Sequence, residues 1–117
     1  MDPQLPTLNA LDSEVSVTGQ LSEEHLQWIA AQGFRSVINN RPDLEGGPAQ
    51  PLHHQIANAA EQAGLKCVYL PVIPSAYKPQ DIAQLQDLLK TLPKPILMFC
   101  RSGARSTQMY LIARGRA

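Results

Sequence analysis

The stretch Pro95-Ile96-Leu97-Met98-Phe99-Cys100-Arg101-Ser102-Gly103-Ala104-Arg105-Ser106 decides the fold. Ile96 to Phe99 is apolar without alternation, as a central strand covered on both faces requires. The chain then turns polar and basic and passes Gly103. From about Arg105 or Ser106 to Arg114 it reads as a helix, with Gly115 able to end it. A strand feeding a short glycine-containing loop and a helix can aim successive N–H groups at one point. Such a nest, backed by the positive end of a helix, binds anions.

Cys100 stands at the start of this loop. The loop amides, the helix dipole, Arg101 and Arg105 together favour thiolate over thiol. A guanidinium also grips two oxygens of a phosphate-like or sulfate-like group at once. A buried inert cysteine would need neither Gly103 nor the two arginines. Cys67, mid-strand between Lys66 and Val68, reads instead as a small core residue.

Working outward, Lys66 to Val72 is a strand, and Pro79 opens a helix with Ile82, Leu85, Leu88 and Leu89 at helical spacing. Upstream, Phe34 to Ile38 is a strand left by the loop Asn39-Asn40-Arg41-Pro42-Asp43. A helix is expected from about Pro51 to Ala63. Ser22 is the expected N-cap of an earlier helix that Gly33 ends, with Leu21 and Leu26 as a hydrophobic staple. Val15 and Val17 alternate with polar residues as a first or edge strand. The order strand–helix, repeated, predicts a single α/β domain. Its central sheet has about four to five mostly parallel strands, with helices on both faces. Residues 1–14 are expected to be an N-terminal arm and 15–117 the domain. The last helix ends close to Ala117, which suggests a minimal or C-terminally truncated version.

The whole chain narrows the function classes. Its 117 residues suit one domain. Ten basic and ten acidic residues balance, so neither a nucleic-acid-binding stripe nor an acidic tail is expected. No apolar run is long enough to span a membrane, and the start does not read as a signal peptide. Two cysteines cannot make a disulfide framework, so a reduced, soluble, cytoplasmic protein is expected. His53 and His54 diverge on a helix and lack partners at ligand spacing, so no metal and no cofactor are expected. Oligomeric state stays open.

Three blocks carry a family resemblance: Gly19-Gln20-Leu21-Ser22, Gly33 to Asp43 through Asn40-Arg41-Pro42, and Cys100 to Ser106. Together they resemble the phosphatase-like domain family found fused to, or beside, beta-lactamase-like hydrolases, in the family's order and over nearly the whole chain. The resemblance implies a protein-tyrosine-phosphatase-like fold, Cys100 as nucleophile and Arg105 as oxyanion clamp. Arg101, Ser102, Gly103, Ala104 and Ser106 would then line the substrate.

The chain departs from the usual cysteine phosphatases in three places. Arg105 is one position early, Phe99 stands where a histidine is usual, and Val72-Ile73-Pro74-Ser75 holds no aspartic acid. Asp43 is the candidate acid or support for Arg105; a turn capping local amides is the plainer reading of it. Asp81 is a weaker candidate acid, better placed in the first turn of a helix. Asn40 and Arg41 could reach the same rim, and Ser106 or Thr107 could donate to the thiolate.

Three functions fit this scaffold. A phosphatase would use Cys100 to attack phosphorus in a phosphoester. The cysteine-to-arginine spacing also resembles the rhodanese loop, which implies a sulfurtransferase passing sulfur from a donor to an acceptor through a Cys100 persulfide. A non-catalytic module would bind a small oxyanion without turnover.

Overall fold

A computed structural model of the chain describes residues 4–116. In chain order the elements are β1 (Asn9–Ala10), β2 (Val15–Thr18), α1 (His25–Ala31), β3 (Ser36–Asn39), α2 (His53–Gln62), β4 (Lys66–Tyr69), α3 (Pro79–Thr91), β5 (Ile96–Phe99) and α4 (Ala104–Ala113). The sheet runs β1-β2-β5-β3-β4, with only the β1–β2 pair antiparallel.

The apolar run of β5 is resolved by the two-residue period of a strand. Ile96 and Met98 pack with Val15, Val17, Ile38, Leu85, Leu89, Met109 and Tyr110, on the face of α3 and α4. Leu97 and Phe99 pack with Leu21, Leu26, Ile29, Val37 and Ile56, on the face of α1 and α2. All four β5 side chains are fully buried. Each such side chain contributes about 1.5–3 kcal/mol, so β5 is fixed in place by both layers.

Several boundaries differ from those expected. Asn9–Ala10, within the expected arm, adds an edge strand to β2; residues 1–3 of that arm lie outside the described residues. The strands expected over 34–38 and 66–72 are shorter, at Ser36–Asn39 and Lys66–Tyr69. Helix α1 begins at His25 because residues 22–24 form a tight turn: His25 and Leu26 donate to the carbonyls of Ser22 and Glu23. The Ser22 hydroxyl faces His25 Nδ1 at 3.1 Å and caps no amide. Helix α2 begins at His53 rather than Pro51, because the His53 N–H is taken by Asp43 Oδ1 at 2.7 Å. Helix α4 begins at Ala104, where Gly103 turns the chain at φ +95°.

Asp12 ties the N-terminal segment to α4. Its Oδ1 accepts the N–H groups of Glu14 at 2.6 Å and Val15 at 2.8 Å. Its Oδ2 accepts the hydroxyl of buried Tyr110 and lies 3.7 Å from Arg114. Partial burial pushes this carboxyl up, but those hydrogen bonds and the Arg114 charge outweigh it and hold it below the usual range.

Asp12→Ala is expected to lower the unfolding free energy by about 1–3 kcal/mol in urea titrations near neutral pH, because the Tyr110 hydroxyl loses its acceptor. The folded carboxyl titrates below the unfolded one (about 3.9). Its contribution is therefore complete above that pH and disappears as pH falls through the folded value. A difference that persists unchanged into acid would contradict this assignment.

Candidate active site

The parallel strands end level. Thr18 and Asn39 are each in register with Phe99, and Tyr69 with Asn39. Ligands in such sheets bind beyond these carboxyl ends, where the chain order reverses. Strand β5 enters between β2 and β3 after the chain has already passed both, so the loop after it is flanked by the loops after each neighbour. Gln20 N–H donates to the Arg101 carbonyl at 3.2 Å, and Asn40 N–H to the Phe99 carbonyl at 2.8 Å.

Cys100 follows β5 directly and is buried. Its Sγ accepts the Gly103 N–H at 3.0 Å. Only the left-handed turn at Gly103 brings that amide back three residues onto the sulfur, and a side chain there would be strained. Burial pushes the Cys100 thiol up, but hydrogen bonds from Ser106, Ser102 and Gly103 outweigh it and set the thiol below its ordinary value. Ser106 has one hydroxyl proton, and Asn40 Oδ1 takes it at 2.8 Å. Asn40 is held by donating to the Leu70 carbonyl at 3.0 Å. The Ser106 backbone N–H is therefore the more dependable of its two groups toward the sulfur.

Arg105 projects from the first turn of α4 and is 8 % exposed. Its Nη1 donates to the Val72 carbonyl and to Glu45 Oε2, each at 3.0 Å, and its Nη2 to Glu45 Oε1 at 2.9 Å. Its Nε is buried and without a hydrogen-bond partner. Three of its five N–H groups are thus taken, and the Nε–H is the buried donor left for a further acceptor. Arg41 Nε also donates to Glu45 Oε1, at 3.0 Å, and Arg41 Nη1 to Gln20 Oε1, at 3.2 Å. The hydrogen bond from Arg105, helped by Arg41 and opposed by partial burial, holds the Glu45 carboxyl below the usual range.

Two cavities open here. One, of about 320 Å³, is lined by Pro74, Tyr77, Cys100, Arg101, Ser102, Ala104, Arg105 and Gln108. The other, of about 570 Å³, shares Pro74, Arg101 and Arg105 and adds Arg41, Glu45 and Gly46. Among the described residues, Glu45 is the one carboxylate lining either, and it is held ionised.

The structure therefore gathers Cys100, Arg101, Ser102, Gly103, Ala104, Arg105 and Ser106 at one place, with Asn40 and Arg41 behind them. It places three candidates elsewhere. Asp43 lines neither cavity: its carboxylate caps α2 through His53, and its N–H donates to the Tyr69 hydroxyl at 2.8 Å. The Thr107 hydroxyl donates to the Gly103 carbonyl at 2.8 Å, back along its own helix, so it does not serve the sulfur. Asp81 lies in the first turn of α3, where it accepts the Lys78 N–H at 3.1 Å. Glu45 is the site residue that sequence reasoning missed. A lone acid in a loop between Pro42 and Gly46-Gly47 carries no periodic signal, and its partner Arg105 is sixty positions away.

A cysteine whose sulfur accepts a loop amide, with an arginine from the following helix at the end of a mostly parallel sheet, defines a phosphatase-like α/β domain of the tyrosine-phosphatase fold. The chain belongs to the phosphatase-like domain family of beta-lactamase hydrolase-like proteins, whose family model matches residues 7–117. It is similar to the beta-lactamase hydrolase-like protein of Xylella fastidiosa, at 32 % identity over 103 residues, covering 88 % of this chain and 24 % of that one. The corresponding protein of Agrobacterium fabrum is 30 % identical over 102 residues, with 87 % and 23 % covered. The chain thus spans about a quarter of the length of these curated relatives. Among solved structures, a proposed phosphatase of Neisseria meningitidis is 30 % identical, with a TM-score of 0.83 over 91 % of this chain and 75 % of that one. Among the described residues, no helix is long and apolar enough to cross a membrane.

The two cysteines should separate by titration. Alkylation by iodoacetamide, followed by mass spectrometry against pH, is expected to modify Cys100 with a midpoint below the ordinary thiol value. Half-buried Cys67, pushed up to about 11 by burial, should react only in strong alkali. A Cys100 midpoint at or above the ordinary value would contradict the thiolate assignment.

Proposed function

We propose that the domain is a cysteine-dependent phosphatase for substrates whose leaving group departs without help from an acid. The observation that supports this most is the partnerless Nε of buried Arg105, a residue that lines one cavity with a cysteine whose sulfur accepts the Gly103 N–H. Cys100 attacks phosphorus, an S–P bond forms as the P–O bond to the leaving group breaks, and water then hydrolyses the phosphocysteine. The loop amides and Arg105 hold the equatorial oxygens. Glu45 acts as a positioning residue, keeping the planar guanidinium of Arg105 turned toward the loop. Held between two arginines, it carries no proton to give at neutral pH. General acid help is typically worth about 10²–10⁴ in rate. With no protonated carboxyl lining the site among the described residues, efficient turnover is restricted to good leaving groups.

The same lack of a proton donor favours a second reading, sulfur transfer. The thiolate attacks the outer sulfur of thiosulfate, an S–S bond forms, sulfite leaves with the electron pair, and an acceptor thiol later removes the sulfur. No proton is needed at the leaving group. Either reading fits a small oxyanion in a reducing compartment.

A series of aryl phosphates separates these readings. The phosphatase is expected to show kcat/KM falling steeply as the leaving-group pKa rises. Cys100→Ser should abolish turnover, and Arg105→Ala should lower it by about 10²–10³. Turnover that survives Cys100→Ser removes the proposal. One added sulfur on Cys100 after thiosulfate treatment, with no aryl phosphate turned over, selects sulfur transfer instead. Phosphate binding with neither reaction leaves an oxyanion-binding module.

A further inference from the structure

We infer that the larger cavity is a second anion subsite, and that the substrate class is a phosphoanhydride: a diphosphate whose terminal phosphate lies over Cys100 and whose next phosphate lies between Arg41 and Arg101. The inference rests on the phosphatase reading and narrows its substrate. The two cavities share Pro74, Arg101 and Arg105, so a group bound at the sulfur has the second cavity beside it. Three arginines and one glutamate line that second cavity. Glu45 is already satisfied by two of them, which leaves an excess of positive charge facing a space of about 570 Å³.

The guanidinium groups are not saturated by the protein. Arg41 is 9 % exposed and commits Nε and Nη1 to Glu45 and Gln20. Its Nη2 has no protein acceptor among the described residues. Glycine at 46 keeps that nitrogen open: a Cβ on Gly46 would stand 2.6 Å from Arg41 Nη2. Arg101 is exposed, and its side chain forms no ion pair among the described residues. Arg105 lines both cavities, and its Nε is the buried donor still without an acceptor among the described residues.

This subsite also accounts for a pocket whose one lining carboxylate among the described residues, Glu45, is held ionised. When Cys100 attacks the terminal phosphorus of a diphosphate monoester, the S–P bond forms as the bridging P–O bond breaks. The bridging oxygen keeps the electron pair and leaves as part of a phosphate anion, which needs no proton. Arg41 and Arg101 stabilise the charge that collects there. Water then cleaves the S–P bond, both of its protons end on inorganic phosphate, and the thiolate returns.

Calorimetric titration of the full chain carrying Cys100→Ser, with inorganic phosphate and with pyrophosphate, tests the subsite apart from turnover. Pyrophosphate is expected to bind at least about tenfold more tightly, one such step being about 1.4 kcal/mol. Arg41→Gln and Arg101→Gln should each shrink that ratio, and circular dichroism reports whether each variant is folded. With the unmodified protein, pyrophosphate should be hydrolysed with a higher kcat/KM than phenyl phosphate. Phosphate that binds as tightly as pyrophosphate, or a ratio unchanged in both arginine variants, overturns the subsite and leaves the phosphatase reading standing. Binding of neither anion overturns both.

Discussion

The hydrogen bond from the Gly103 N–H to the Cys100 sulfur, at 3.0 Å, is the contact on which the site depends. It exists because β5 is buried on both faces and cannot shift, so Cys100 always leaves the sheet at one point. It also needs the turn at Gly103, which brings the amide back and starts α4 in the same step. One backbone event therefore cradles the sulfur, aims the helix dipole and places Arg105. Burial alone would keep this sulfur as a neutral thiol, as it does at Cys67. At Cys100 the donors of the loop outweigh burial and set the thiol below its ordinary value.

A second constraint comes from the opposite side of the cleft. Glu45 joins Arg105 of α4 to Arg41 of the loop after β3, and so closes the rim across two elements far apart in sequence. The loop reaches there through Leu44, a non-glycine residue at φ +68° that leaves its side chain 64 % exposed. Such a conformation costs about 1–3 kcal/mol. The same loop carries Asp43, which caps α2, so the rim is anchored to the helix layer on one side and to the arginine on the other. An acid used in this way orients charge and cannot also deliver a proton.

How far the sequence foretold this follows from the range of each interaction. Strand β5, the loop after it and the stripe of α3 were legible because a buried run, a glycine and a helical period are local signals. The first turn of α1 was misread because the Ser22 hydroxyl meets a histidine ring where an amide was expected. The start of α2 moved because its cap comes from Asp43, ten positions upstream. Asp43 looked like a candidate acid for the same reason it is a cap: it follows Pro42 at the end of a strand, with a free carboxylate and amides nearby. Glu45 left no trace, since only the folded sheet brings residues 45 and 105 together. The small edge strand at Asn9–Ala10 likewise depends on β2 being there to pair with it.

The most direct test of the account is a crystal of the protein soaked in tungstate, a tetrahedral dianion that mimics phosphate. The account predicts tungstate seated over Cys100, with one oxygen on Arg105 Nε and others on the amides of the 101–106 loop, while Glu45 keeps its grip on the guanidinium. A sulfur facing the interior with those amides turned away, and tungstate found only on surface lysines, would contradict it.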